Sequence, residues 1–347
     1  MSAIVDFLSE GVVSGDLIAH LDGVIEGIPH APSRVQQLGL FSSEGLLNTT
    51  TVKFDKTSYG LELIQSSTRG TNAPKASKRT RDTVHFETVR IAKSVEITAD
   101  EILNLRAVGS NAPEQWDRYF AQKSLPVIGS LRATREWHML GAIKGLVLDA
   151  DGTPLENLHT KMGTDAPAVV YFDLDAASPA PGAIRQACAG IVRQIADALG
   201  GVPHTGVHAF VGRAFMDKIA NHPETRETFL NQAAAAELRG GTAFTTFAYG
   251  GIVFEEYRGL IGATKFVEDD EARFFPVGAQ DLFKTYYGVA DRFGFNEGLG
   301  AVEYAMPSED DKSRVREVEY QSNLIAINKR PDTSIEGRAG VAPAPVV

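Results

Sequence analysis

Between two strand-like runs lies a stretch that has no means of burying itself. It reads "SSTRGTNAPKASKRTRD", Ser66 to Asp82, and its cations Arg69, Lys75, Lys78, Arg79 and Arg81 all precede its first acid, Asp82. Gly, Pro, Ser, Thr and Asn fill most of the gaps. On the N-terminal side Val52 and Phe54 alternate with polar residues, and "YGLELI" sets Leu61 and Leu63 on one face. "TVHFETVRIAKSVEI" returns as strand, with Val84 and Phe86 on one face but Val89, Ile91, Val95 and Ile97 on the other. That change of parity predicts a bulge, or passage from one packing environment to another. The pattern is a long two-stranded finger with a basic, polar tip. An isolated hairpin is marginal in water, so the tip must rest on a neighbour.

Three readings of the tip follow from composition: a nucleic-acid contact, a solvated loop, or a partner for acidic patches on other copies of the chain. The chain carries 44 acids against 34 Lys plus Arg, a formal charge of −10, which disfavours sequence-independent nucleic-acid binding by the whole molecule. Acidic patches stand at Glu268, Asp269 and Asp270 and at Glu309, Asp310 and Asp311. Composition does not choose among the three.

The rest of the chain reads as mixed α and β. Residues 1–47 hold two short apolar patches, "AIVDFL" and "LIAHLDGVI", too sparse to fold without a surface to lie on. Thr98 and Glu101 form a capping box that opens a short helix, "ADEILNLRAV". A long helical stretch spans about Pro113 to Lys144, with Trp116, Phe120, Val127, Leu131, Trp137 and Leu140 on an apolar side and a kink or break expected at Pro126. Its apolar side is expected to pack on the sheet containing Ile325, Ala326 and Ile327. "GLVLDADGTPLENL" reads as a hairpin turning at Asp151-Gly152, "AVVYFDL" as a buried strand, and Pro181 to Leu199 as an amphipathic helix ended by Gly200-Gly201. Residues 202–310 mix helices, strands and the glycine-rich loop "DRFGFNEGLGAV". A late strand within 314–338 predicts that this block is inserted into a domain begun near residue 96.

Several motifs carry candidate chemistry. "GLVLDADGTPL" matches the haloacid-dehalogenase phosphotransferase signature, with Asp149 as nucleophile, Asp151 as general acid/base and Mg²⁺ between them. The context differs, because 148 residues precede the motif and no downstream G-D-x-x-x-D acid pair follows. His204 and His208 have helical metal-pair spacing, but Pro203 and Gly206 disfavour a helix there. Cys188 sits on an apolar helix stripe and reads as a packed hydrophobe. As the single cysteine it excludes an intrachain disulfide and suits a reducing compartment. No run approaches the roughly 18 apolar residues of a membrane span. Asp6 and Glu10 stand where a signal peptide has cations, so a cytoplasmic product, or one assembled in a cytoplasm, is expected. Neither a cofactor nor a metal is expected.

The order of these elements, with "YFDLDAASPAPGAIRQACAGIVRQI", "VHAFVGRAFMDKIANHPETRETF", "EARFFPVGAQDLFKTYYG" and the closing "VEYQSNLIAINKRPDTSIEGRAG", resembles the tailed-bacteriophage major capsid proteins of the lambda type. The resemblance covers nearly the whole chain and implies an α+β, Hong Kong 97-like fold. It implies an N-terminal arm at 1–47, an E-loop at 48–95 and a P-domain with the spine helix and hairpin at 96–201. An A-domain follows at 202–310, and 311–347 holds the P-domain return strand and tail. It further implies a structural protein and no enzyme, self-assembling in the host cytoplasm as hexamers and pentamers into an icosahedral head around double-stranded DNA. The finger would be the E-loop, lying on the neighbouring subunit with Arg69, Lys75, Lys78, Arg79 and Arg81 in contact. Glu268, Asp269, Asp270, Glu309, Asp310 and Asp311 are the candidate acidic partners. Scaffold, portal and decoration proteins are the expected other partners. The 47 residues ahead of the finger are too short for a cleaved scaffolding segment, so a separate scaffold or none is expected. The alternatives are a phosphatase using Asp149 and Asp151, and a monomeric binding module.

Overall fold

The computed structural model describes residues 32–41, 43–58, 80–98, 100–101, 116–238, 246–262, 264–309 and 315–343. It opens with a short helix α1 (Arg34–Gln37) and strand β1 (Ser43–Leu46), so the second part of the expected arm lies on the body. Val35 and Phe41 are its buried anchors. Strands β2 (Thr51–Ser58) and β3 (Thr80–Glu87) pair antiparallel as the root of the finger. After a one-residue break at Thr88 the chain continues as β4 (Val89–Thr98), which leaves β2 and pairs with another strand. The parity change therefore marks passage between packing environments: Val84 and Phe86 join the main core, and Val95 and Ile97 join a second one.

The spine is α2 (Trp116–Ile143), which runs unbroken through Pro126. The expected break is absent because neighbouring apolar contacts on both sides of Pro126 outweigh the single hydrogen bond a proline removes. A hairpin of β5 (Leu146–Leu148) and β6 (Pro154–Asn157) follows, then α3 (Leu158–Met162). "AVVYFDL" yields only the two-residue edge strand β7 (Val170–Tyr171), half-buried where a buried strand was expected. Its side chains lie at the rim of a sheet, and burial is confined to Phe172 and Leu174 beyond it. Helix α4 (Ala183–Leu199) buries Ile184, Cys188, Ile191, Ile195 and Leu199, the stripe that the spacing predicts.

The remaining elements are β8 (Gly206–Val211), α5 (Arg213–Asn221), α6 (Arg226–Leu238), β9 (Thr246–Tyr249), β10 (Ile252–Glu256), β11 (Leu260–Ile261), β12 (Thr264–Lys265), β13 (Glu271–Val277), β14 (Phe283–Tyr287), β15 (Tyr304–Glu309), β16 (Val315–Asn328) and β17 (Ile335–Arg338). They form two principal sheets. One has the order β7-β17-β13-β8-β10-β9, with α4, α5 and α6 packed against it over a core rich in phenylalanine. In the other, Leu324 of β16 faces both Val89 and Tyr287, and Gln321 faces both Ala92 and Tyr304. Strand β4 thus runs along one edge of β16, while β14 and β15 follow one another along the opposite edge. Strand β1 then adds parallel to β14, with Gly45 opposite Tyr286. A Cβ at Gly45 would lie 2.3 Å from the tyrosine ring, so that approach needs glycine.

The sheets divide the expected 202–310 block. Strands β14 and β15 fall inside it but pair with β16, and β17 falls outside it but pairs with β13. A short 3-10 turn, Pro331–Thr333, hands the chain from one sheet to the other.

The spine helix bridges both sheets. Phe120, Val127, Ile128 and Leu131 pack against Val95, Ile97, Val318 and Tyr320. Trp137 is buried too, but against Phe266, with ring centroids 4.9 Å apart. At about 100° per residue it points about 120° round the helix from Leu131, so it does not share the stripe that faces β16. The side chain of Trp116 lies outside the described residues, as does the rest of the helix that Thr98 and Glu101 open. Its cap is present: the Thr98 amide donates to Glu101 Oε2 at 3.3 Å.

Candidate assembly surfaces

The finger has a cored root. Val52, Val84 and Phe86 are buried, and Phe54 meets Phe86 at 6.0 Å and Tyr286 at 5.4 Å. Lys161 lies over the Phe86 ring at 5.7 Å and Lys329 over Phe54 at 6.0 Å. Arg81 stands in β3 opposite Thr57, and nothing is described of its side chain. Arg69, Lys75, Lys78 and Arg79 lie outside the described residues. So do Asp310, Asp311 and the side chain of Glu309, which ends β15.

Glu268, Asp269 and Asp270 form an exposed turn between β12 and β13. Two of them already have partners in their own chain: Asp269 accepts from Lys265, and Asp270 lies 3.0 Å from Arg338. Asp270 ends a charged chain through Arg338, Glu336, Arg273 and Glu271 to Lys144, just past the end of the spine. Glu271 is almost fully buried. Burial opposes its charge, yet Lys144 and Arg273 outweigh that and hold its carboxyl down at about 2. Burial in turn lowers the Lys144 ammonium. This network ties the spine to the six-stranded sheet across the β13–β17 ladder.

A second buried cluster clasps the arm. Glu136 of the spine has no exposed surface, and its Oε1 accepts from the Val35 amide at 2.5 Å and the Tyr257 hydroxyl at 3.0 Å. Its Oε2 accepts from the Gln36 amide at 3.3 Å. The carboxylate thereby satisfies N–H groups that the first turn of α1 leaves open. Burial raises its pKa, against the pull of those donors. Beside it Arg34 donates from Nε and Nη2 to the two oxygens of Glu255, and Glu255 Oε2 lies 2.9 Å from His208 Nε2. Burial opposes the Glu255 charge, but His208 and Arg34 together hold its carboxyl below the usual range. Of these residues only His208 was singled out in the sequence, as half of a metal pair and not as a partner of Glu255. The available signal was an acid, Glu136, inside the apolar end of a helix.

The remaining motifs are structural in form. "DADGT" is the tip of the β5–β6 hairpin, with Gly152 at φ 87° and the Asp149 amide donating to Thr153 O at 2.8 Å. Asp151 Oδ1 accepts from the Thr153 amide at 2.8 Å, which lowers its pKa, and Asp149 Oδ1 accepts from the Ala150 amide. Both carboxylates serve the turn. His208 is a strand residue engaged with Glu255, and His204 lies four residues earlier in the loop before β8. Among the described residues no group of three or more His, Cys, Asp or Glu is arranged to hold a metal. Cys188 is fully buried, and burial pushes its thiol up to about 12. No helix among the described residues is long and apolar enough to cross a membrane.

Comparison with known proteins adds a family. A family model described as phage major capsid protein E matches residues 18–339. The major capsid protein of Salmonella phage Felix O1 is 27% identical, over 93% of this chain and 96% of its own. That of Pseudomonas phage KPP10 is 25% identical, over 90% and 93%. Among solved structures, the capsid of cyanophage P-SCSP1u superposes with a TM-score of 0.50 at 13% identity, over 86% of each chain. The fold is thus Hong Kong 97-like, with mixed α and β elements.

Proposed function

The chain belongs to the phage major capsid protein E family, and we propose that it closes a phage head through its finger and its N-terminal arm. It is a structural protein of the virion, forms the capsid and associates with copies of itself. In the proposed arrangement the finger acts as an E-loop seated on a neighbouring subunit. The spine with the β16 sheet forms a P-domain, and the six-stranded sheet forms an A-domain. Copies group as hexamers and pentamers of an icosahedral shell assembled in the host cytoplasm, around double-stranded DNA held without sequence recognition. A separate scaffold, a portal and a decoration protein are its proposed partners.

The observation that carries this reading is the contrast within one hairpin. Its root is packed on the body by Val52, Val84 and Phe86, while the tip sequence has cations and almost no apolar side chains to bury. Arg69, Lys75, Lys78, Arg79 and Arg81 gain partners from another copy's carboxylates, each exposed pair contributing about 0.2–1 kcal/mol. Repetition around a closed shell multiplies a weak contact. Glu268, Asp269, Asp270, Glu309, Asp310 and Asp311 are candidate acceptors, of which Asp269 and Asp270 must share their charge with Lys265 and Arg338. Changing the five cations together to Ser should leave soluble, folded subunits that fail to form shells in electron micrographs. Shells of normal number and salt resistance would overturn the assignment.

The phosphatase alternative for Asp149 and Asp151 finds no support in the relatives, and the hairpin explains both residues. We infer that neither catalyses. Mg²⁺-dependent phosphatase assays should read background, and a turnover lost on Asp149→Asn would contradict this.

A further inference from the structure

Strand β9 is the outermost strand of the six-stranded sheet, and among the described residues it pairs with β10 on one side only. The turn Gly250-Gly251, with φ 60° and 86°, sets Tyr249 opposite Ile252. In a two-residue hairpin that flanking pair exchanges both backbone bonds, and bonded pairs then alternate along the strands. Phe247 and Tyr249 therefore direct their N–H and C=O groups at β10, whereas those of Thr246 and Ala248 point away from it. Such outward groups are the ones a visiting strand pairs with.

At Ala248 that place is already taken. Gln232 of α6 donates from Nε2 to Ala248 O at 2.8 Å, and its Oε1 accepts from the Ala248 amide at 3.1 Å. One side-chain amide thus bonds the edge as the backbone of a neighbouring strand would. Phe229, three residues earlier on α6, holds the helix beside the edge by packing its ring on Phe247, centroids 5.4 Å apart.

Other strands with a free side carry different protection. Strand β4 has exposed Arg90 and Lys93, and β15 contains Pro307; charge and proline both discourage strand addition. Strand β9 has neither. It ends the run "TAFTTFAY", 242–249, which has no charge and no proline and consists of threonine, alanine and aromatic residues. A segment of that composition on an open edge is an aggregation hazard.

We propose that Gln232 is an edge stop: its amide occupies an outward backbone pair of β9 and so keeps a strand of another chain from extending the six-stranded sheet. The inference goes beyond the capsid reading and concerns the contacts a subunit must avoid. A chain that associates with copies of itself is exposed to wrong edge pairing at high local concentration.

The test measures irregular aggregate of the full chain, sedimented apart from shells and free subunits and identified by binding of an amyloid dye. Gln232→Ala, which keeps a strong helix former in α6, should raise the share of chain in that fraction at least about threefold. Adding Thr246→Pro should return it to the wild-type level, because the Thr246 amide points away from β10 and its loss costs the sheet no bond. Gln232→Lys should also stay at the wild-type level, its charge guarding the edge in place of the amide. In that variant the Ala248 amide has lost its acceptor and should exchange at least about fivefold faster, the factor of one ordinary hydrogen bond. Four results would each overturn the proposal: no rise in Gln232→Ala, a rise that Thr246→Pro leaves in place, equal aggregation of Gln232→Lys, or unchanged exchange at Ala248. Shell formation is not among the readouts, so failure of the capsid reading shows separately, as a wild-type chain that forms no shells.

Discussion

The Glu136 carboxylate accepts a hydrogen bond from the Val35 amide at 2.5 Å across 101 positions of sequence, tying the arm to the C-terminal part of the spine. The same carboxylate holds the Gln36 amide and the Tyr257 hydroxyl, so spine, arm and six-stranded sheet meet at one buried acid.

Replacing Glu136 with Ala therefore strands two buried donors, the Val35 amide and the Tyr257 hydroxyl, each costing about 1–3 kcal/mol when left unmet, and the half-buried Gln36 amide beside them. The Val35 and Gln36 amides should lose hydrogen-exchange protection well before the core of α4 does. Glu136→Gln, which retains one acceptor, should lose less. Unchanged protection at Val35 in Glu136→Ala would refute the clasp.

The Lys144–Glu271–Arg273 network makes stability depend on acid. The folded Glu271 carboxyl sits at about 2 against the ordinary glutamate value of 4.5, so the unfolded form binds its proton first as pH falls. Its contribution is complete above about pH 4.5 and is lost between there and about pH 2. Glu271→Gln should be less stable than wild type at pH 7, with a gap that narrows over that window. A gap constant from pH 7 to 2.5 in denaturant titrations would contradict this.

Trp137 joins the spine to two loops, its ring against Phe266 between β12 and β13 and its Nε1 donating to Asp149 O at the hairpin tip at 2.7 Å. Trp137→Ala should cost about 3–5 kcal/mol and yield insoluble or unassembled protein. A finger variant, by contrast, should remain soluble. Normal assembly of Trp137→Ala would mean that this junction is dispensable.

What the sequence reveals here follows periodicity. The α4 stripe from Ile184 to Leu199 and the switch at Thr88 were both legible, because each is a local pattern of apolar residues. The partner of Trp137 was not, since spacing gives only the angle at which a side chain leaves the helix. Sheet membership of β14 and β17 was hidden for a similar reason: a strand's pattern shows which face is buried but not which strand lies beside it. Of the candidate assembly site, charge at the tip and in the 268–270 turn was legible. The buried acids Glu136, Glu255 and Glu271 were not, because their meaning lies in donors supplied from distant elements.

The central claim is that the finger is stabilised by another subunit. A reconstruction of assembled particles at side-chain resolution tests it most directly. The account predicts residues 59–79 lying across a neighbouring copy, with the cations Arg69, Lys75, Lys78 and Arg79 within about 4 Å of its carboxylates. A finger folded back on its own subunit, or pointing into solvent with those cations unpaired, would contradict it.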